Sequence, residues 1–367
     1  MITDLDFILP HGDILKPFLS SSEITDSDLK RMLAKKGIYV PDSNPHKTIP
    51  LLCCNVLSPS EFQFLKENQK RKEDSIKRRS RSIDLKSDIN FPQEVSSLDF
   101  DFDRLLNYDN NICRIKDSPQ FNFENTNTAS LSYTIEREDV TKNFMEHKTT
   151  HDAKITLVKN EDNQVDIIAE HTSTETKRIN ELIMKEAIKQ FKDKGCVQKE
   201  TALKKLTSNI LPTENRNKFL FRLLNSDLVD NFNFNQVSNI RLGPNSDYNN
   251  PPQQIKWMEE KVKKVVLNGE AIDRSEIFTD PECLKAIIIE EIEASFNAHF
   301  RSHEISCKVT FGFTNLLKNI ESNNAEFEFK ITPKIGFMSL NKNAVSQFLY
   351  ESFDYIKNKV LSEFIPS

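Results

Sequence analysis

Apolar residues recur along this chain with two different periods, and the changes of period divide it. Leu29, Met32 and Leu33 stand at i, i+3, i+4 spacing, which predicts a helix with one buried face. Thr25-Asp26-Ser27-Asp28 would open it, with acidic side chains at its positive end, and Gly37 would stop it. Ile38-Tyr39-Val40-Pro41 reads as extended chain. A second helix is expected over Thr48 to Leu57, with Ile49, Leu52 and Cys53 inward. Ser58-Pro59-Ser60-Glu61 opens a third: an N-cap Ser, Pro at the first helical position and Glu at the third. Phe62 and Leu65 would anchor it. From Lys66 the apolar face is lost, and the helix is expected to run on as a basic arm to Lys86. Residues 1–86 thus form a helical head with a basic arm.

Residues 87–128 read as a linker or irregular layer rich in Asn, Asp and Ser. Asp99-Phe100-Asp101-Phe102-Asp103 within it is read as a surface loop pinned by its two Phe side chains. Docking into a partner's basic groove is the other reading. From Ala129 the period becomes two: Leu131, Tyr133, Ile135, then Ile155 and Leu157, then Val165 and Ile167. A helix from about Glu175 to Lys194 follows, so 129–195 is expected to be an antiparallel sheet plus helix. Residues 196–243 suggest a winged-helix-like order. A helix carries Leu203, Leu206 and Ile210, a break falls at Pro212, a helix carries Phe219 to Leu224, and a hairpin joins Phe232–Phe234 to Ile240–Leu242. In 253–367, helices are expected from Gln253 to Leu267 and from Asp280 to Phe300. Strands then follow at Ile305–Phe313 and Phe327–Ile331, with a closing helix near Asn343–Phe364. The fold class is α+β, with two sheet-plus-helix units related by pattern alone.

Composition narrows the chemistry. Among 367 residues there are only seven glycines, no two close together. A Rossmann fingerprint, a P-loop, a kinase glycine loop and a nucleophile elbow all need paired glycines, so these are excluded. The 26 Phe suit sheets with one buried face. Cys53, Cys54, Cys113, Cys196, Cys283 and Cys307 contain no C-x-x-C pair and read as reduced thiols, which with no signal peptide suggests the cytoplasm. No apolar run reaches membrane-spanning length. The net charge of −5 means that nucleic-acid affinity must come from local patches.

The strongest such patch is the arm: Lys70, Arg71, Lys72, Lys77, Arg78, Arg79 and Arg81. A cationic helix tracks phosphates by releasing condensed counterions. Arg216, Lys218 and Arg222, with Asn215, would line the exposed face of the winged-helix-like segment. A metal nuclease would need an acidic residue followed by Glu-x-Lys on the next strand. Glu328-Phe329-Lys330 supplies only the second half, and Asp166 with Glu170 lacks the Lys. His147/His151 and His299/His303 have zinc-compatible helical spacing but no accompanying Glu or Cys pair. No cofactor is expected.

The stretch Ile24-Thr25-Asp26-Ser27-Asp28-Leu29-Lys30, then Leu33-Ala34-Lys35-Lys36-Gly37-Ile38 and Thr48-Ile49-Pro50-Leu51-Leu52, resembles a SAP-type helix–extended–helix module. The opening Ile8-Leu9-Pro10-His11-Gly12-Asp13-Ile14-Leu15 is similar to the start of non-nuclease subunits in two-gene bacterial anti-phage systems. The first resemblance implies DNA binding, with Lys35 and Lys36 near phosphate. The second implies a protein partner such as a nuclease subunit. The expected function is a non-catalytic DNA-binding and assembly subunit, duplex DNA favoured, with self-association as a further expectation. The alternatives are a divalent-metal nuclease and a scaffold without nucleic-acid binding.

Overall fold

The computed structural model describes residues 11–20, 24, 26–41, 44–65, 75–87, 89–106, 112–116, 119–138, 148–224, 232–258, 262–318, 324–334 and 340–365. Thr25, Lys70, Arg71, Lys72 and His147 lie outside these. In chain order the head holds α1 (Lys16–Leu19), α2 (Asp26–Lys35), α3 (Pro45–Cys53) and α4 (residues 59–65). Strand β1 (Lys77–Asp84) follows, then α5 (Phe91–Ser96), α6 (Phe102–Leu106), β2 (Ile112–Ile115) and β3 (Asn122–Asn125). Next come β4 (Thr128–Glu138), β5 (Lys148–Lys159), β6 (Gln164–His171) and α7 (Thr174–Asp193). After these run β7 (Lys204–Lys205), α8 (Thr213–Arg222), β8 (Phe232–Pro244), α9 (Gln253–Lys256) and β9 (Val265–Asn268). The chain ends with α10 (Glu276–Thr279), α11 (Pro281–Lys285), β10 (Ile287–Phe300), β11 (His303–Phe313), β12 (Phe327–Pro333) and α12 (Lys342–Phe364). The class is α+β, as expected. No described helix is long and apolar enough to cross a membrane.

The chain divides into two units, the first made mainly of residues 1–75 and 84–201, the second of 76–83 and 202–367. In the first, the head has its own core of Leu15, Phe18, Leu29, Met32, Leu33, Leu52 and Leu65. α3 starts earlier than expected, because Asn44 caps it by accepting from His46 N at 3.0 Å and Pro45 occupies its first position. Helix α4 carries the expected capping box: Ser58 N donates to Glu61 Oε2 (2.7 Å) and Glu61 N to Ser58 Oγ (3.3 Å). The sheet of this unit runs β2-β4-β5-β6, with β3 also paired to β4. Helix α7 lays Ile179, Ile183, Ala187 and Phe191 inward. Tyr133 Oη reaches Asn180 Oδ1 at 2.9 Å, fixing α7 over β4.

In the second unit the order is β1-β12-β11-β10-β8-β9, with β7 on β1. One face carries Phe296, Phe311 and Phe329, and α12 packs on it through Phe353, whose ring lies 4.9 Å from Phe329 and 5.4 Å from Phe311. Burying these rings on both sides of one interface is what holds the helix to the sheet.

Other segments depart from the expected elements. Residues 87–128, read as a linker or irregular layer, hold the short elements α5, α6, β2 and β3. The helix expected through Phe300 ends at Lys285, and Ile287–Phe300 is a strand. Its β-branched start and the alternation Ile292, Ala294, Phe296, Ala298 favour extended chain, although Ile292 and Phe296 also fit helical spacing. The helix from Gln253 ends at Lys256, and Val265–Asn268 pairs with β8. The winged-helix-like order is not found. Residues 204–205 are a strand, only α8 is helical among the described residues of the segment, and Phe232–Pro244 is one long strand paired to β10 and not a hairpin.

Candidate functional site

The segment with the highest local positive charge is a buried strand. Lys77 and Arg78 stand opposite Lys330 and Phe329 of β12, and Arg81 and Ser82 opposite Lys205 and Lys204 of β7. Alternation sends Arg78 and Ser80 to one side, Arg79 and Arg81 to the other. Arg79 Nε donates to Glu328 Oε2 at 2.8 Å and its Nη1 to Glu326 Oε2 at 2.8 Å. Arg81 donates twice to Glu326. On the helix side, Arg78 Nη1 donates to Asp354 Oδ2 at 2.9 Å and lies over the Tyr350 ring at 4.6 Å. Ser80 Oγ (2.9 Å) and Lys357 Nζ (2.6 Å) donate to the other Asp354 oxygen. Burial alone would raise the Asp354 carboxyl, yet Lys357 and Arg78 outweigh it and hold it below the usual aspartate range. Three arginines buried on intramolecular carboxylates cannot also sit on a phosphate backbone. The expectation of a helical basic arm is therefore corrected for Lys77, Arg78, Arg79 and Arg81: these residues build the sheet.

The cations of α8 also turn inward or pair locally. Arg216 is 2% exposed and was expected on the outer face. Its Nη1 donates to the Ser208 carbonyl at 2.8 Å, and burial pushes its pKa down to about 10. Lys218 bonds Glu214 at 2.6 Å, one helical turn away, and Arg222 bonds Glu363 at 2.9 Å.

The nuclease candidates fare no better. Glu328 is spent on Arg79 and also accepts from Thr314 Oγ1 at 3.2 Å. Among the described residues no group of three His, Cys, Asp or Glu side chains converges to hold a metal ion. His151 is buried in β5, and His299 and His303 are exposed where β10 turns into β11. His299 and His303 are on strands, so the helical zinc spacing does not apply to that pair, and His147 of the other pair lies outside the described residues.

The head keeps cations outside. The stripe that buries Leu29, Met32 and Leu33 in α2 leaves Lys30, Arg31 and Lys35 exposed. Lys35 Nζ sits over the Phe64 ring at 4.5 Å. Lys36 is instead drawn inward, to Glu61 Oε2 at 2.6 Å and the Val56 carbonyl at 2.8 Å. Burial favours a raised Glu61 carboxyl, but the Lys36 and Ser58 hydrogen bonds hold it below its ordinary value. Tyr39, just after α2, is 84% exposed. Lys30, Arg31 and Tyr39 were not among the expected contact residues, although the same helical periodicity places the first two outward.

No curated protein matches this chain. Residues 13–75, which include α1 to α4, match the family model of the GAPS4b protein N-terminal domain. That match points to a component of a bacterial anti-phage defence system.

Proposed function

We propose that this chain is a non-catalytic DNA-binding and assembly subunit of a bacterial anti-phage complex, with a separate nuclease or other effector supplying the chemistry. The supporting observation is the cationic ridge of Lys30, Arg31 and Lys35 on α2, inside the stretch that matches the defence-system domain. The ridge backs onto a packed three-residue stripe, so its side chains are held on a rigid element. Each Lys or Arg that neutralises a phosphate releases counterions, and the exposed Tyr39 ring stands at the C-terminal end of the same helix. Duplex DNA, with its high phosphate density, is the favoured ligand. Lys70, Arg71 and Lys72 follow the head in sequence and lie outside the described residues. The tying of Glu328 into the β1 ion pairs argues against a Glu-x-Lys nuclease centre in this chain.

The test is protection from phage in a host expressing this chain with its effector. Lys30, Arg31 and Lys35 changed together to Ala should abolish protection while the protein level is unchanged. Full protection by that variant would remove the ridge from the account.

A further inference from the structure

A cavity of about 600 Å³ opens in the first unit between the α5–α6 segment and the chain leading into β3. Phe100, Phe102, Phe121 and Phe123 line it, with Asp99 and Asp101 between them. The Phe100 ring lies 5.9 Å from Phe102 and 6.2 Å from Phe121, both in tilted arrangements. Phe123 is 37% exposed, an unusual position for a Phe that merely pins a loop.

The walls are fixed. Gln190 of α7 clamps the main chain of Asp99 from both sides: its Oε1 accepts from Asp99 N at 3.1 Å and its Nε2 donates to Asp99 O at 2.6 Å. Asp101 Oδ1 accepts from Arg104 N at 3.0 Å, capping α6. Lys194, which caps the C-terminal end of α7, is engaged by Ser97, through its carbonyl at 2.9 Å and its Oγ at 2.6 Å. Asp99 is exposed, and its main chain holds the Gln190 hydrogen bonds.

Aromatic faces and carboxylates share one preference: both attract a cation. A neutral apolar ligand would bury Asp99 and Asp101 without compensation, which is costly. A nucleic acid would bring phosphates against the same two carboxylates. The volume lies within the range of ligand pockets, about 300–1,000 Å³, and so admits a side chain together with the peptide that carries it. We infer that this cavity is a docking site for a basic segment of a partner protein, taking an arginine side chain among the four Phe rings with Asp99 and Asp101 as its counter-charges. None of the lining residues belongs to α2.

The test uses the purified full chain and a fluorescein-labelled peptide, Gly-Gly-Arg-Gly-Arg-Gly-Gly, followed by anisotropy at constant ionic strength. Saturable binding is expected below about 1 mM, with the citrulline version of the peptide about tenfold weaker. Phe121→Leu, which keeps charge and most apolar bulk, should weaken the arginine peptide about tenfold, and Phe121→Trp should restore it. Asp99→Asn should also weaken it, with melting temperatures of all variants near wild type. Three results would overturn the inference. They are absence of saturable binding, equal binding of the citrulline peptide or of the Phe121→Leu variant, and displacement of the peptide by a single-stranded oligonucleotide that binds the same cavity.

Discussion

Arg81 forks onto Glu326, with Nε to Oε1 at 2.6 Å and Nη2 to Oε2 at 2.7 Å, and the two side chains are 2% and 9% exposed. Glu326 also accepts from Arg79, so one carboxylate bridges two buried guanidinium groups, and Glu328 supplies the second negative charge. Removing a single partner from such a set leaves buried charge uncompensated. Glu326→Ala should therefore destabilise the second unit by about 3 kcal/mol, read by urea unfolding. A loss under about 1 kcal/mol would show the pairs to be solvated, as exposed ion pairs are.

Asp354 makes the same network sensitive to acid. Its folded pKa is depressed below the unfolded value, chiefly by Lys357 and Arg78 working against burial. The resulting stability is fully present above the unfolded aspartate pKa of about 3.9 and is lost as the pH falls through the lower folded value. Asp354→Asn should lower stability at neutral pH and flatten the acid limb of the stability curve. An acid limb as steep as that of wild type would place the sensitivity elsewhere.

The thiols should separate by burial. Cys54 is exposed, whereas Cys307 is buried in β11 and its pKa is pushed up to about 12 by desolvation. With a thiol-specific reagent at about pH 8, Cys54 should react in the native protein and Cys307 only after unfolding. Native labelling of Cys307, located by peptide mass, would contradict the buried β11 position.

In the head, the Ser58–Glu61 capping box starts α4 and shares Glu61 with Lys36 at the end of α2. Ser58→Ala should cost about 1 kcal/mol, the usual loss for an N-cap. An unchanged melting temperature would mean that packing of Phe62 and Leu65 alone sets the helix start.

Regular apolar alternation made much of the fold legible. Leu131, Tyr133 and Ile135 in β4, and Cys307, Val309 and Phe311 in β11, are all buried at every second position, and the helices expected near 175–194 and 343–364 form as α7 and α12. The basic segment was not legible, for a physical reason. Lys77–Arg81 shows no apolar alternation, because its buried positions are filled by arginines whose partners, Glu326, Glu328 and Asp354, lie 245 to 276 residues away. Nothing local distinguishes a cation waiting for phosphate from one neutralised by a distant carboxylate. The candidate site shifted accordingly, from the arm to α2, where exposure follows from the helix period itself.

The measurement that bears most directly on the DNA-binding account is the salt dependence of binding to a labelled duplex. Wild type is compared with the variant carrying Lys30, Arg31 and Lys35 as Ala. Each phosphate contact contributes about −0.9 to the slope of log K against log salt, so losing three should make it shallower by about 2.7. That change, with the fold retained by circular dichroism, is the expected result. A wild type that does not bind duplex, or a variant whose slope matches wild type, would contradict phosphate contact through α2.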